Sequence, residues 1–312
     1  MTTEAPVKSR YEHGRHETFA VRHGWLGKGL ERMDASSHGF LADPDPDPDA
    51  VVELGLGSRM VTSLRYWLEA SGLGDERGID LDDRKLRQLH TSRMGNVVHE
   101  RDPYLEYPAT WWFVHLCLAR RSTSVWGWFF NDFRERAFDR ATCVEAYLRH
   151  LRLHASREPS LSVAQRDVAC LLLAYATSSG SEPLDPEDGT ASPLRDLGLL
   201  LRHDEVGRFE KTRPLDEVPI EVFLACAAAE AADIGQESLS VGELLGRRGG
   251  PGVVLGLSGD AIEEMAARGA RDYAGAGVTL DLLGAERRLR VPMMDGLHFW
   301  LDRHFQRVGG GR

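Results

Sequence analysis

Gly55-Leu-Gly-Ser58-Arg-Met-Val-Thr-Ser-Leu-Arg-Tyr-Trp-Leu-Glu-Ala-Ser71-Gly72 is the stretch on which the fold turns. At helical spacing, Met60, Val61, Leu64 and Leu68 share one face. Arg59, Thr62, Ser63 and Tyr66 share the other, with Arg65 on its flank. Ser58 fits an N-cap and Gly72 the residue that ends the helix. The short run Ala50–Leu54 precedes it across a glycine turn, so the pair reads as a helix-turn-helix. The second helix of such a unit enters the DNA major groove with its first residues at the base edges. Ser58, Arg59, Thr62, Ser63 and Arg65 are the expected DNA contacts. An ordinary three-helix core with a solvated outer face fits the same pattern.

Working outward, Leu26, Leu30 and Met33 recur at i, i+4 and i+7 and predict an earlier helix. Leu81–Leu89 reads as another short helix, leaving Leu73–Asp80 as a turn or small wing. Residues 1–100 are thus expected to form a winged-helix-like DNA-binding domain. Residues 101–180 read as a helical region, in which Trp111–Phe113, Trp126, Trp128–Phe130 and Phe133 are expected core. Residues 181–312 read as a small α+β domain. There Val218–Ala232 predicts a helix, Val253–Leu257 a strand, and Ser258 caps a helix that Gly269 ends. Val278–Leu283 and Glu286–Val291 predict a hairpin, so this part could form a second winged-helix-like module. The expected class is mainly α, with an α+β character. Asp43–Asp49, four aspartates alternating with three prolines, reads as a stiff connector, and Thr177–Ala191 as a linker.

The 312 residues are 42% apolar and 28% charged, the balance of a soluble globular protein. No apolar run approaches the ~18 residues of a membrane span, and the first 25 residues predict no secretory leader. Four scattered cysteines lack metal-ligand spacing and suit a reducing cytoplasm. A net charge of −10 argues against a purely electrostatic nucleic-acid binder, but not against one local basic face. All but four of the 38 basic residues are arginine. Guanidinium forks suit phosphate, although a GC-rich genome gives the same bias.

Candidate chemistry concentrates in Tyr11-Glu-His13-Gly-Arg-His16-Glu17-Thr-Phe, followed by Arg22-His23. This is neither zinc-peptidase order. His16 and Glu17 are the expected catalytic pair and the expected ligands of a divalent metal such as Mg or Mn. Either role would suit phosphodiester hydrolysis. The plainer role is to cap the first helix and contact backbone. Asp102 and Glu106 form a second acidic spot that could equally cap the helix near Pro108. Gly249-Gly-Pro-Gly252 lacks the Lys-Ser/Thr of a phosphate loop, so no ATP site is expected there.

Several motifs occur in order: His16-Glu-Thr-Phe19, Arg22-His-Gly-Trp25-Leu-Gly-Lys28-Gly, Leu54-Gly-Leu-Gly57-Ser-Arg-Met60, Leu64-Arg-Tyr-Trp67, Asp102-Pro-Tyr-Leu-Glu106, Pro108-Ala-Thr-Trp111, Trp128-Phe-Phe-Asn131 and Arg166-Asp167. Together, over about residues 15–176, they resemble the SspB family of single-strand DNA phosphorothioation and defence systems. The resemblance implies a cytoplasmic DNA-binding protein that nicks DNA for sulfur insertion. It also implies work beside a cysteine desulfurase, an ATPase and an ATP pyrophosphatase-like partner. Arg22 and Lys28, within the matched motifs, join the expected DNA contacts. The competing expectation is a non-catalytic DNA-recognition or assembly subunit of the same system.

Overall fold

The computed structural model describes residues 8–35, 40–41, 46–81, 84–178, 191–214, 218–292 and 296–309. They are mainly helical, with three small sheets. The buried apolar side chains form one connected core from Ala20 to Phe305.

The N-terminal part runs α1 (Trp25–Ala35), β1 (Phe40–Leu41), α2 (Pro48–Leu54), α3 (Ser58–Ala70), β2 (Gly74–Leu81), β3 (Arg84–Thr91) and α4 (Arg93–Arg101). Its antiparallel sheet has the order β1-β3-β2. Asp47 starts α2 by accepting from the Asp49 and Ala50 amides, with Pro48 preset for the first turn. The buried Arg32 guanidinium pairs with Asp47 at 3.2 Å and lies 5.2 Å over the Phe40 ring. That anchors the end of the acidic connector, whose residues 43–45 lie outside the described residues. Two expectations change here. Leu81 and residues 84–89 are hairpin strand, because this stretch pairs antiparallel with β2, with Leu86 and Gln88 buried on one face and Leu89 buried on the other. In α3 the expected polar face is largely buried. Ser63, Arg65 and Tyr66 are 0%, 7% and 3% exposed, because the N-terminal segment crosses over that face.

The middle comprises α5 (Pro108–Arg120), α6 (Val125–Asn131), β4 (Ala137–Asp139), α7 (Arg140–His154), α8 (Leu161–Tyr175) and β5 (Ala176–Ser178). Its aromatic cluster is core, as expected. Trp126 packs 5.1 Å from Trp67 and donates to the Tyr66 hydroxyl, joining this region to α3. Next come β6 (Leu200–His203) and β7 (Arg208–Lys211), which complete a sheet of order β4-β7-β6-β5. Lys211, on β7, donates to the Phe129 and Phe133 carbonyls at the end of α6. Of the expected linker, residues 179–190 lie outside the described residues.

The C-terminal part runs α9 (Ile220–Asp233), β8 (Ser238–Ser240), α10 (Val241–Gly246), α11 (Pro251–Val254), α12 (Gly259–Asp272), β9 (Thr279–Leu283), β10 (Glu286–Arg290) and α13 (Leu297–Gly309). Its sheet order, β8-β10-β9, repeats that of the N-terminal part. The strand expected over Val253–Leu257 is absent: Pro251 starts a short helix there. Nor does Gly269 end α12, which runs on to Asp272. A Cβ at Gly269 would sit 2.8 Å from Leu224, so this glycine serves close packing on α9. Gly249 has φ +83°, and a Cβ there would meet the Glu230 carboxylate. Its amide donates to Asn131 and its carbonyl faces the Cys226 thiol, so the glycine-rich loop is a packing joint.

His115 ties α5 to α8 and α11. Its Nε2 donates to the Val254 carbonyl at 2.8 Å and its Nδ1 accepts from the Tyr175 hydroxyl at 2.9 Å. Burial pushes its pKa down to about 4, against the opposing Val254 hydrogen bond. Because the unfolded imidazole titrates near 6.5, acid favours the unfolded chain. The stability this neutral ring contributes is present above pH 6.5 and lost as pH falls toward 4. Across that window the loss should be roughly 3 kcal/mol larger in wild type than in His115→Gln, measured by urea unfolding. The four thiols are free, and burial raises each of them, Cys117, Cys143 and Cys226 to about 12. They are therefore chemically quiet.

Candidate functional site

Residues 8–19 form a strap across the helical middle. Ser9 pairs with Ala155 beyond α7, the Glu12 amide donates to the Thr123 carbonyl, and the Gly14 amide donates to Asp167 on α8. Glu17 and Thr18 then take φ values of 50° and 73°, a left-handed turn that L-residues rarely adopt. The turn drives His16 inward and Glu17 outward.

Asp167 is the hub, 2% exposed on α8 at the head of the apolar run Val168–Tyr175. Its Oδ1 accepts from the Gly14 amide at 2.9 Å and from His16 Nε2 at 3.0 Å, and its Oδ2 from His13 Nδ1 at 3.2 Å. Burial pushes its carboxyl up, but the hydrogen bonds from His13, His16 and Gly14 pull it down further, below the usual range. The network sets both tautomers. His16 Nδ1 accepts from the Thr18 amide, so both nitrogens of this buried ring are engaged. His13 donates from Nδ1 to Asp167, and its Nε2 is buried with no hydrogen-bond partner among the described residues.

His13 lines a groove of about 1070 Å³ between the strap, the end of α3, the β2–β3 hairpin and the start of α8. His13 and Arg15 also line a smaller pocket reaching Glu17 and Thr62, so the concave surface continues to the first turn of α3. Four carboxylates of the groove are paired with arginines. Glu69 holds Arg15 and Arg121, Glu12 holds Arg121, Glu76 holds Arg65 and Arg87, and Glu158 holds Arg152. Arg10 and Arg157 line the groove, are exposed, and make no ion pair among the described residues.

Over residues 13–285 the sequence matches the family described as protein of unknown function (DUF4007). The chain belongs to that family. No curated protein matches this DUF4007 chain. Two solved structures do. A magnesium ion-bound SspB crystal structure superposes with a TM-score of 0.81 and an SspB crystal structure with 0.80. Each is 25% identical over 97% of this chain and 90% of the other. The DUF4007 chain is therefore SspB-like in both sequence and fold.

The expected site residues of this DUF4007 chain divide. His16 and Glu17 are adjacent but face opposite ways, since the exposed side of Glu17 pairs with Arg59 at 2.9 Å. They do not fit a shared cation: His16 has no free nitrogen, and Asp167 beside it already accepts three hydrogen bonds. Among the described residues no group of three His, Cys, Asp or Glu could hold a metal ion. Ser58, Arg59 and Lys28 are exposed and Thr62 is half-buried. Arg22 is half-buried over the Phe19 and Trp25 rings. Ser63 donates to the His16 carbonyl and Arg65 to Glu76, so both are taken up inside the protein. Asp102 accepts from the Glu106 and Tyr107 amides and from the Thr110 hydroxyl, so it braces the turn that leads into α5. His13, Asp167, Arg10 and Arg157 were not singled out as site residues. The usable signal was Asp167, a carboxylate within Leu161–Tyr175 whose burial demands partners.

Proposed function

We propose that this chain acts on DNA as the strand-nicking component of an Ssp-type phosphorothioation and defence system. Its likeness to SspB over 97% of its length supports a role in the Ssp system. The order α1-β1-α2-α3-β2-β3, with sheet order β1-β3-β2, supports reading the N-terminal part as a winged helix whose first turn, with Ser58 and Arg59 exposed, meets DNA. The observation that carries the reading is the groove. It offers the guanidiniums of Arg10 and Arg157, which make no ion pair among the described residues, and it continues toward that turn of α3. Guanidiniums hold phosphate oxygens.

The partners of this reading are DNA, an ATPase, an ATP pyrophosphatase-like subunit and a cysteine desulfurase. The magnesium ion in one SspB structure motivates including Mg or Mn in the assay, although His16 and Glu17 are not its place here. The experiment is relaxation of supercoiled plasmid by highly purified protein. Open circles without linear product are expected. DNA binding without any open circles would leave the recognition-subunit role and remove the nicking one.

A further inference from the structure

We infer that the C-terminal part is a second winged helix that binds protein and not DNA: the outer face of α12 and the β9–β10 wing dock a basic partner segment carrying a large apolar anchor. This goes beyond the nicking reading and does not depend on it.

The topology comes first. The order α9-β8-α10-α12-β9-β10, with sheet order β8-β10-β9, matches α1-β1-α2-α3-β2-β3 with β1-β3-β2 element for element, and only the short α11 is inserted. Helix α12 therefore stands where α3 stands, and the β9–β10 hairpin is its wing. Ser258 starts this helix by accepting from the Ala261 amide.

The charge on that face is opposite to what phosphate needs. In the first two turns of α12 the exposed side chains are Asp260, Glu263 and Glu264, and the helix has no basic residue before Arg268. Asp260 and Glu264 make no ion pair among the described residues. The wing arginines are already engaged. Arg287 pairs with Glu263 at 3.7 Å, Arg288 with Glu243 at 3.3 Å and Arg290 with Glu237 at 2.6 Å. The end of the helix that meets base edges would thus bring three carboxylates against DNA phosphates.

The wing adds an apolar element. Leu280 lies opposite the buried Leu289, and Leu282 lies opposite Arg287 on the same face of the hairpin. Leu282 continues that face past the end of the core and is 72% exposed, while Leu283 beside it is 70% exposed. Because Arg287 reaches Glu263, this face of the wing looks toward α12. Between them lies a hollow of about 310 Å³ lined by Glu263, Glu286, Arg287 and the start of α10. Free carboxylates beside exposed leucines and a hollow complement lysines or arginines that flank a large apolar side chain. Such a segment pairs its charges with Asp260 and Glu264 and covers Leu282.

The probe is a fluorescein-labelled helical peptide with lysines on one face and leucines on the other, titrated into the full chain by anisotropy. Leu282→Ser should weaken peptide binding by at least ~10-fold, and so should an Asp260→Asn, Glu264→Gln double variant. These side chains are exposed, so both variants should keep the wild-type urea midpoint and plasmid affinity. A control double variant, Glu31→Gln with Glu100→Gln, removes the same charge from exposed positions on α1 and α4 and should bind peptide like wild type. An equal loss in the control would overturn the proposal, because the peptide would then answer only to the net charge of −10. Binding that survives Leu282→Ser and the α12 variant would overturn it too, as would no binding by wild type at about 100 μM peptide. Loss of plasmid affinity in either of those variants would overturn it in favour of a second DNA-reading module.

Discussion

Asp167→Ala should destabilise the protein by about 3–5 kcal/mol, because it removes a buried charge on which three donors converge. The donors left behind are the Gly14 amide, His16 Nε2 and His13 Nδ1, and the His16 side chain is buried. The strap would lose its anchor on α8, and with it the turn that holds Glu17 and Thr18 in left-handed backbone. Urea unfolding gives the global cost, and hydrogen exchange of the Gly14 and Thr18 amides gives the local one. Exchange at those amides should rise well above the change expected from global stability alone. Asp167→Asn should cost less, since its amide oxygen still accepts, but one of its neighbours must then face an N–H. A cost below about 1 kcal/mol for Asp167→Ala would remove the hub from the account.

Glu221→Ala should cost a similar amount, about 3–5 kcal/mol, at the opposite end of the chain. Glu221 is fully buried in α9 and accepts from the Tyr273 hydroxyl, from His304 Nδ1 at 2.9 Å, and from Arg307 at 2.5 and 3.1 Å. His304 and Arg307 lie on α13, so this one carboxylate clasps the last helix to α9. Burial pushes the carboxyl up, but the bonds from His304, Arg307 and Tyr273 pull it far below the usual range. The sign follows. The unfolded carboxyl binds its proton first, so the stability is present above the ordinary glutamate range and is lost as pH falls below it. Wild type should therefore lose more stability than Glu221→Gln between about pH 5 and 3. Equal pH slopes in the two proteins would show that the clasp contributes nothing through its charge.

The two buried carboxylates show where a sequence stops being legible. Periodicity located α1 and α3, because each has an apolar face whose spacing shows it; the apolar run Val218–Ala232 located α9, the Ser258 cap located the start of α12, and the two flanking runs located the β9–β10 hairpin. The aromatic run was legible as core from its density of large apolar side chains. Leu81–Leu89 misled because leucines three apart serve a helix and a twisted hairpin alike. The polar residues of α3 misled because Ser63, Arg65 and Tyr66 face protein groups brought in from the strap, β2 and α6, and nothing local announces such partners. The site suffered most. His13, Gly14 and His16 converge on Asp167 from about 150 residues away, and adjacency had joined His16 to Glu17, which the turn sends apart. Adjacent residues share a site only when the backbone between them lets them face one way.

The most direct test of the account is a salt titration of DNA affinity for wild type and for an Arg10→Ala, Arg157→Ala double variant. Neither guanidinium supports the fold through an ion pair among the described residues, so the variant should unfold at the wild-type midpoint. Removing one guanidinium from a phosphate should flatten the dependence of log affinity on log salt by about one. The account predicts a slope smaller by about two and binding weaker by at least ~10-fold at low salt. An unchanged slope and affinity in the folded double variant would contradict it, because DNA would then not lie in this groove.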